Sequence, residues 1–260
     1  MKYKLVVFWL IVFGVLFAFL QTGFEYHFYY IEQSQLFLFS ETYIKNKLVL
    51  PGGFSMLVAE FLVQFFIRSY VGALVTAALL TGVGICTAGI VKRVAPASKL
   101  FILYVLPMLA LLFMHFDFNY RVQGTVSYLM MAALLCGYMR IRNGLFRLVA
   151  GCVLVPVLFW LAGSIAVLFA GMACLFEGMQ KTPKWYVSLI GVAEVLLLGL
   201  GAVSFSLMGE YRWAFEPDLY YHNTLHPKEI IYYSWICLPL VFLIACFFRN
   251  KKEQSGKKWL

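Results

Sequence analysis

The feature that most constrains this chain is a succession of long uncharged apolar runs, each about 15 to 25 residues, separated by short charged segments. A bilayer demands that pattern, because roughly 20 apolar residues in a helix are needed to cross a hydrocarbon core of about 30 Å. Only 13% of the residues are charged and 63% are hydrophobic, against roughly 25% charged and half apolar in a soluble domain. The expected fold is therefore an all-α, polytopic transmembrane helix bundle of about eight spans. These lie at about 4–21, 70–91, 98–115, 124–139, 147–162, 164–178, 185–207 and 229–248, in one domain over 1–248. Aromatic residues make up 18% of the chain, which suits lipid-facing and interfacial positions.

The first run follows Lys2 and Lys4 and resembles a signal peptide. It extends from Leu5 to Leu20 and exits without a small-residue cleavage pattern, so it reads as an uncleaved span. The net charge of +9 belongs to short loops between the runs, which points to membrane topology and away from nucleic acid. The six cysteines fall inside apolar runs without a CxxC pair, so they read as packing residues, not as zinc ligands or a disulfide framework.

Two segments decide the topology. Residues 54–67 are apolar but short, about 21 Å as a helix, and carry Glu60, Gln64 and Arg68 at i, i+4 and i+8. That stripe predicts an amphipathic helix lying in the interface. Lys2, Lys4, Lys92, Arg93, Lys99, Arg140, Arg142, Arg147, Lys181, Lys184, Arg249, Lys251, Lys252, Lys257 and Lys258 then fall inside. Lys45, Lys47, Arg68, Arg121, Arg212 and Lys228 fall outside, a split of 15 to 6. A crossing helix at 54–67 would reverse the split to 6 to 15, against the positive-inside rule. The 29 uncharged residues between Arg147 and Glu177 pose the second choice. One tilted span would leave 10 cations inside and 11 outside, whereas a hairpin turning at Gly163–Ser164 preserves the asymmetry. The expected location is the bacterial inner membrane, with both termini cytoplasmic. The basic tail, 249–260, reads as solvated or in contact with anionic lipid, and as a point where a longer chain was cut.

In this topology the four histidines and most acids lie outside. The long first outer loop, from Gln21 to Tyr70, carries an aromatic opening that suits an interfacial belt. Residues 32–47 can form a short surface helix, with Leu36, Phe39, Tyr43 and Lys47 along one side. Pro51-Gly52-Gly53 then makes a sharp turn. Glu32, flanked by Gln33 and Gln35, is the preferred functional carboxylate, with Glu25 the alternative. At a partly desolvated interface such an acid can act as a general base or hold a divalent cation; equally, it can be a solvated loop acid. Arg68 suits a phosphate or an interfacial anchoring role beside Glu60. His115, Asp117 and Arg121 sit together at the second outer connection and suit an anionic head group or, with two plausible ligands, a metal. Glu194, near mid-depth in the seventh run, is an intramembrane acid that suits a proton relay, a substrate contact or a protonated hydrogen-bonding group.

The block Tyr30-Ile31-Glu32-Gln33-Ser34-Gln35-Leu36-Phe37, with Pro51-Gly52-Gly53 and Phe61-Leu62-Val63-Gln64-Phe65-Phe66, resembles an uncharacterised family of multi-pass membrane proteins from Gram-negative anaerobic bacteria. The order of elements is also similar to the GT-C class of membrane glycosyltransferases, which take sugars from polyprenyl-phosphate carriers. That likeness implies a catalytic acid in the first outer loop, at Glu32 or Glu25, and a carrier phosphate held by Arg68 or Arg121. A paired acidic motif and a C-terminal soluble domain, both common in that class, are absent from this sequence. The readings carried forward are lipid-linked sugar transfer, a non-catalytic envelope scaffold, and a transporter or flippase leaning on Glu194. The topology has a direct test: a reporter fused after Arg93 is expected on the cytoplasmic side, and reporter activity on the outer side would invert the assignment.

Overall fold

The computed structural model describes residues 2–96, 101–180, 185–222 and 229–257. It is all-α. The first run is α1 (Lys2–Gly23), followed by three short helices, α2 (Glu25–Ser34), α3 (Glu41–Leu48) and α4 (Gly53–Val63). A 3-10 turn, Gln64–Ile67, leads into α5 (Ser69–Val94), α6 (Phe101–Met114) and α7 (Val122–Tyr138). Then come α8 (Gly144–Ala162), α9 (Ile165–Gly178), α10 (Trp185–Ser204), the short α11 (Tyr211–Phe215) and α12 (Ile230–Lys257). Each of the eight apolar runs is thus a helix. Among the described residues, four helices are long and apolar enough to cross a membrane: Tyr3–Gly23, Ser69–Val94, Gly144–Ala162 and Ile230–Arg249.

α5 is the hub, packed on α1, α6, α7 and α12. Its buried face is made largely of small residues, including Ala73, Thr76, Ala77, Thr87 and Ala88, which lets neighbouring backbones approach closely. α8, α9 and α10 pack on one another, and α7 joins them to the hub. Successive long helices alternate in direction. At one end Phe24 stacks on Phe116 with ring centroids 4.7 Å apart, and Arg121 N donates to Tyr220 O at 3.0 Å. At the opposite end Arg93 Nε donates to Met139 O at 3.0 Å, and Arg147 forms a forked ion pair with Glu177. The second end also carries Lys4, Lys92, Arg140, Arg142 and Arg249, and is called the basic end below. The first, which holds α2 to α4, is the loop end.

Residues 32–47 do not form one helix. The first helix of the loop starts earlier and absorbs the aromatic opening, and the chain then extends from Gln35 to Phe39. Ser40 starts α3 by accepting Tyr43 N at 3.2 Å, which satisfies one of the unpaired donors at a helix start. Nor does the 54–67 segment offer its polar stripe to water. α4 packs on α7 and α8, and α3 folds back over it. Glu60 bonds to α3, and Gln64 Nε2 donates to Phe37 O at 2.6 Å.

Between α8 and α9 the backbone breaks at Gly163, whose φ of +82° strongly favours glycine. A break inside an apolar bundle exposes carbonyl and N–H groups that need partners. The Tyr220 hydroxyl serves both helices: it donates to Ala162 O at 2.5 Å and accepts from Ile165 N at 3.1 Å. Gly52 N, from the turn of the first loop, donates to Trp160 O at 2.9 Å. A Cβ on Gly163 would stand 2.3 Å from Leu219 Cδ2. Tyr220→Phe is expected to destabilise the fold by about 1–3 kcal/mol, since two buried backbone groups lose their partner. Gly163→Ala should also lower the melting temperature, while Gly14→Ala, in open space within α1, should not. Thermal unfolding in detergent measures all three.

Candidate functional site

Polar chemistry at the loop end gathers where α3 folds back on α4. Tyr43 and Lys47 are one turn apart on α3, and Glu60 and Gln64 are one turn apart at the far side of the Pro51–Gly53 turn. The fold-back makes the two pairs meet. Lys47 Nζ donates to Glu60 Oε1 at 3.0 Å, and the Tyr43 hydroxyl bonds to Glu60 Oε2. Glu60 is buried, its side chain only 9% exposed, so this ion pair is far less screened than a surface bridge. Burial, reinforced by the carboxylate beside it, pushes the Tyr43 hydroxyl pKa up.

These residues border a cavity of about 310 Å³. Its far wall comes from the start of α7, with Arg121 and Gln123, and its rim from Gln35 and Leu36. Gln123 Nε2 donates to Gly52 O at 3.1 Å and to Ser55 Oγ at 3.2 Å, which ties α7 to the turn that positions α4. Burial lowers the pKa of Arg121, partly opposed by the attraction of Glu60, and the guanidinium remains a cation. Among the described residues the titratable groups lining the cavity are Arg121, Lys47, Glu60 and Tyr43, so two cations face one carboxylate. That balance favours an anionic ligand, and a guanidinium beside amide groups suits phosphate oxygens.

The residues singled out in the sequence are thus divided. Gln35 and Arg121 line the cavity. Glu32 is half-buried on α2 and Gln33 is exposed, and neither lines it. Glu25 accepts from Ser69 Oγ at 3.2 Å and links α2 to α5. Arg68 is exposed, with Nη1 3.1 Å from the Tyr70 hydroxyl, and does not pair with Glu60. Glu194 lies away on α10, half-buried beside Cys152, with its Oε2 buried and lacking a hydrogen-bond partner. His222 is exposed, and His226 lies outside the described residues. Lys47, Tyr43, Glu60 and Gln123 were not read as site residues. The available signal was two polar pairs at helical spacing, on consecutive helices joined by a tight turn.

His115 and Asp117 belong to a separate buried cluster. His115 Nε2 is 2.8 Å from Thr125 Oγ1, and Asp117 Oδ2 accepts from the Tyr221 hydroxyl at 2.5 Å. His27 packs among Phe24, Phe28 and Phe118, with neither ring nitrogen hydrogen-bonded. Among the described residues no three His, Cys, Asp or Glu side chains gather as a metal site. Burial lowers the His27 pKa to about 4, against the pull of Asp117. Burial and then the His27 charge lower that of His115 to about 3. Both are therefore neutral in the folded chain at pH 7. Unfolding exposes them to the ordinary value near 6.5, so the unfolded state binds more protons as the pH falls. Their contribution to stability is full above about pH 6.5 and is lost progressively down to about pH 4 and then 3. Melting temperature in detergent should fall across that window, and His27→Phe should flatten the upper part of the decline.

Comparisons of the chain with curated proteins and with solved structures give no match. A family model does match, described as a family of unknown function (DUF6057), and it covers residues 1–260. The chain belongs to that family of unknown function, DUF6057, over its whole length.

Proposed function

We propose that this chain is a multi-pass protein of the bacterial inner membrane, and that its loop-end cavity binds the phosphate of a polyprenyl-phosphate-linked sugar at the outer leaflet. Eight alternating helices, with cations concentrated at the end that holds both termini, support that topology under the positive-inside rule. The observation that carries the ligand is Arg121, half-buried at a cavity whose described lining holds a second cation, Lys47, and a single carboxylate. A partly buried arginine recognises a phosphate more strongly than a fully exposed one, because solvent screens it less.

Transfer from such a carrier needs a carboxylate near the phosphate. Glu60 occupies that position in the cavity and replaces Glu32 in this proposal. It would take the proton of an acceptor hydroxyl as that oxygen attacks the sugar's anomeric carbon. The carbon–oxygen bond to the carrier then breaks, and polyprenyl phosphate leaves with its charge held by Arg121. A second reading, a non-catalytic carrier-binding scaffold, is favoured by the two bonds Glu60 already accepts from Lys47 and Tyr43.

Equilibrium binding of polyprenyl phosphate to the purified chain tests the site. Arg121→Ala is expected to weaken binding on the order of tenfold or more, and Arg121→Lys to recover part of it. Unchanged affinity in Arg121→Ala would remove the cavity from the proposal. Glu60→Gln separates the two readings: retained binding with loss of the associated surface glycan supports transfer, whereas an unchanged glycan supports the scaffold.

A further inference from the structure

Near the basic end, well apart from the loop-end cavity, α1 and α5 leave a groove of about 600 Å³ between them. Leu5, Trp9 and Phe13 wall it on one side, and Ala78, Gly82 and Ile85 on the other. From Ala78 to Lys92 it follows α5 for roughly 21 Å at the helical rise, longer than the roughly 15 Å that one leaflet contributes to the hydrocarbon core. α1 packs on α5 and α2, and only 17% of its apolar stretch is buried. No described segment of the chain fills the groove.

The basic end of the groove adjoins a second cavity of about 310 Å³. Gly89 and Lys92 line both, and the second is also lined by Ile90, Arg93, Cys136, Met139 and Arg140. Among the described residues, no acidic side chain lines either space. Two of the three cations are steadied on the cavity wall. The Lys92 ammonium lies over the Tyr104 ring, 5.7 Å from its centroid, and Arg93 Nε donates to Met139 O at 3.0 Å. Topology alone calls for cations at this depth, but it does not call for a cationic cup beside an apolar trough. Gly89 lies where the two meet, and a Cβ there would stand 3.1 Å from Cys136 Sγ, on the cup side.

We infer that the groove and cup together bind an anionic phospholipid of the inner leaflet, with an acyl chain between α1 and α5 and the headgroup phosphate among Lys92, Arg93 and Arg140. The trough selects an apolar chain. The uncompensated cup selects net negative charge and disfavours a headgroup that carries its own cation. This inference rests on the membrane reading of the bundle but not on the cavity at Arg121.

Native mass spectrometry of the full chain in detergent tests it, with phosphatidylglycerol, phosphatidylcholine and inorganic phosphate as separate probes. Phosphatidylglycerol is expected to be retained well above phosphatidylcholine. Lys92→Ala with Arg140→Ala should weaken it on the order of tenfold or more. Gly89→Leu, which keeps every cation and crowds the place where cup and trough meet, should weaken it too, and keeps the test readable where the double change disturbs folding. Arg121→Ala should leave phosphatidylglycerol retention unchanged while lowering affinity for polyprenyl phosphate, so failure of either site shows separately. Equal retention of the two phospholipids overturns the inference, as does unchanged phosphatidylglycerol binding in both variants. Displacement of phosphatidylglycerol by inorganic phosphate as readily as by more of the same lipid assigns the cup to free phosphate and overturns the lipid.

Discussion

The loop end is organised around the contact between the Pro51–Gly53 turn and the broken backbone at Gly163. Gly52 and Gly163 are both in left-handed φ and lie against each other, with Leu219 closing over them. Each exposed backbone group at this junction is met from a different part of the chain. Gly52 N satisfies Trp160 O, Tyr220 satisfies both Ala162 O and Ile165 N, and Gln123 and Ser55 satisfy Gly52 O. In an apolar environment an unpaired peptide group costs several kcal/mol, so these partners make the α8–α9 break tolerable. The same bonds set α4 against α7, and hence Glu60 near Arg121. The cavity is a consequence of that seating.

The two ends of the bundle use charge in opposite ways. At the loop end the carboxylates are held by partners: Glu60 by Lys47 with Arg121 nearby, Asp117 by the Tyr221 hydroxyl, and Glu25 by the Ser69 hydroxyl. These contacts tie segments of the first loop, or the loop after α6, to one another or to more distant elements, so the acids double as fasteners. At the basic end the forked Arg147–Glu177 pair, joined by the Tyr138 hydroxyl at 3.0 Å, fastens α7, α8 and α9. The other described cations there face cavities that no described acid lines: Lys92, Arg93 and Arg140 around one, and Arg93, Arg142 and Arg249 around its neighbour, with the paired Arg147 at its edge. One end commits its charge to contacts within the chain, whereas the other presents cations to open cavities.

Much of the helix pattern was legible in advance because apolar runs have a length requirement. The runs read at 70–91 and 124–139 became α5 and α7 within a few residues, and the break in the 147–178 stretch falls at Gly163, where a small flexible residue interrupts an apolar face. The first loop was less legible. A single helix over 32–47 leaves out the capping role of Ser40, whose side chain accepts Tyr43 N and starts α3 after an extended stretch. The stripe of Glu60, Gln64 and Arg68 predicts an interfacial helix, because polarity at helical spacing says which side is polar, not what covers it; α3 covers Glu60, while Arg68 stays exposed.

The sequence by itself determined an all-helical chain of apolar runs, the sorting of basic residues between them, and the placement of most acids and histidines at one set of connections. Those properties follow from local hydropathy and charge, which each residue carries wherever it lies. Only the tertiary structure decided that Glu60, not Glu32, shares a cavity with Arg121, that His27 and His115 are buried without charge, and that Lys92 and Arg140 line a cavity beside an apolar groove. Each of these depends on a fold-back or a crossing between segments far apart in the chain, set by helix packing and by the need to pair every buried backbone group.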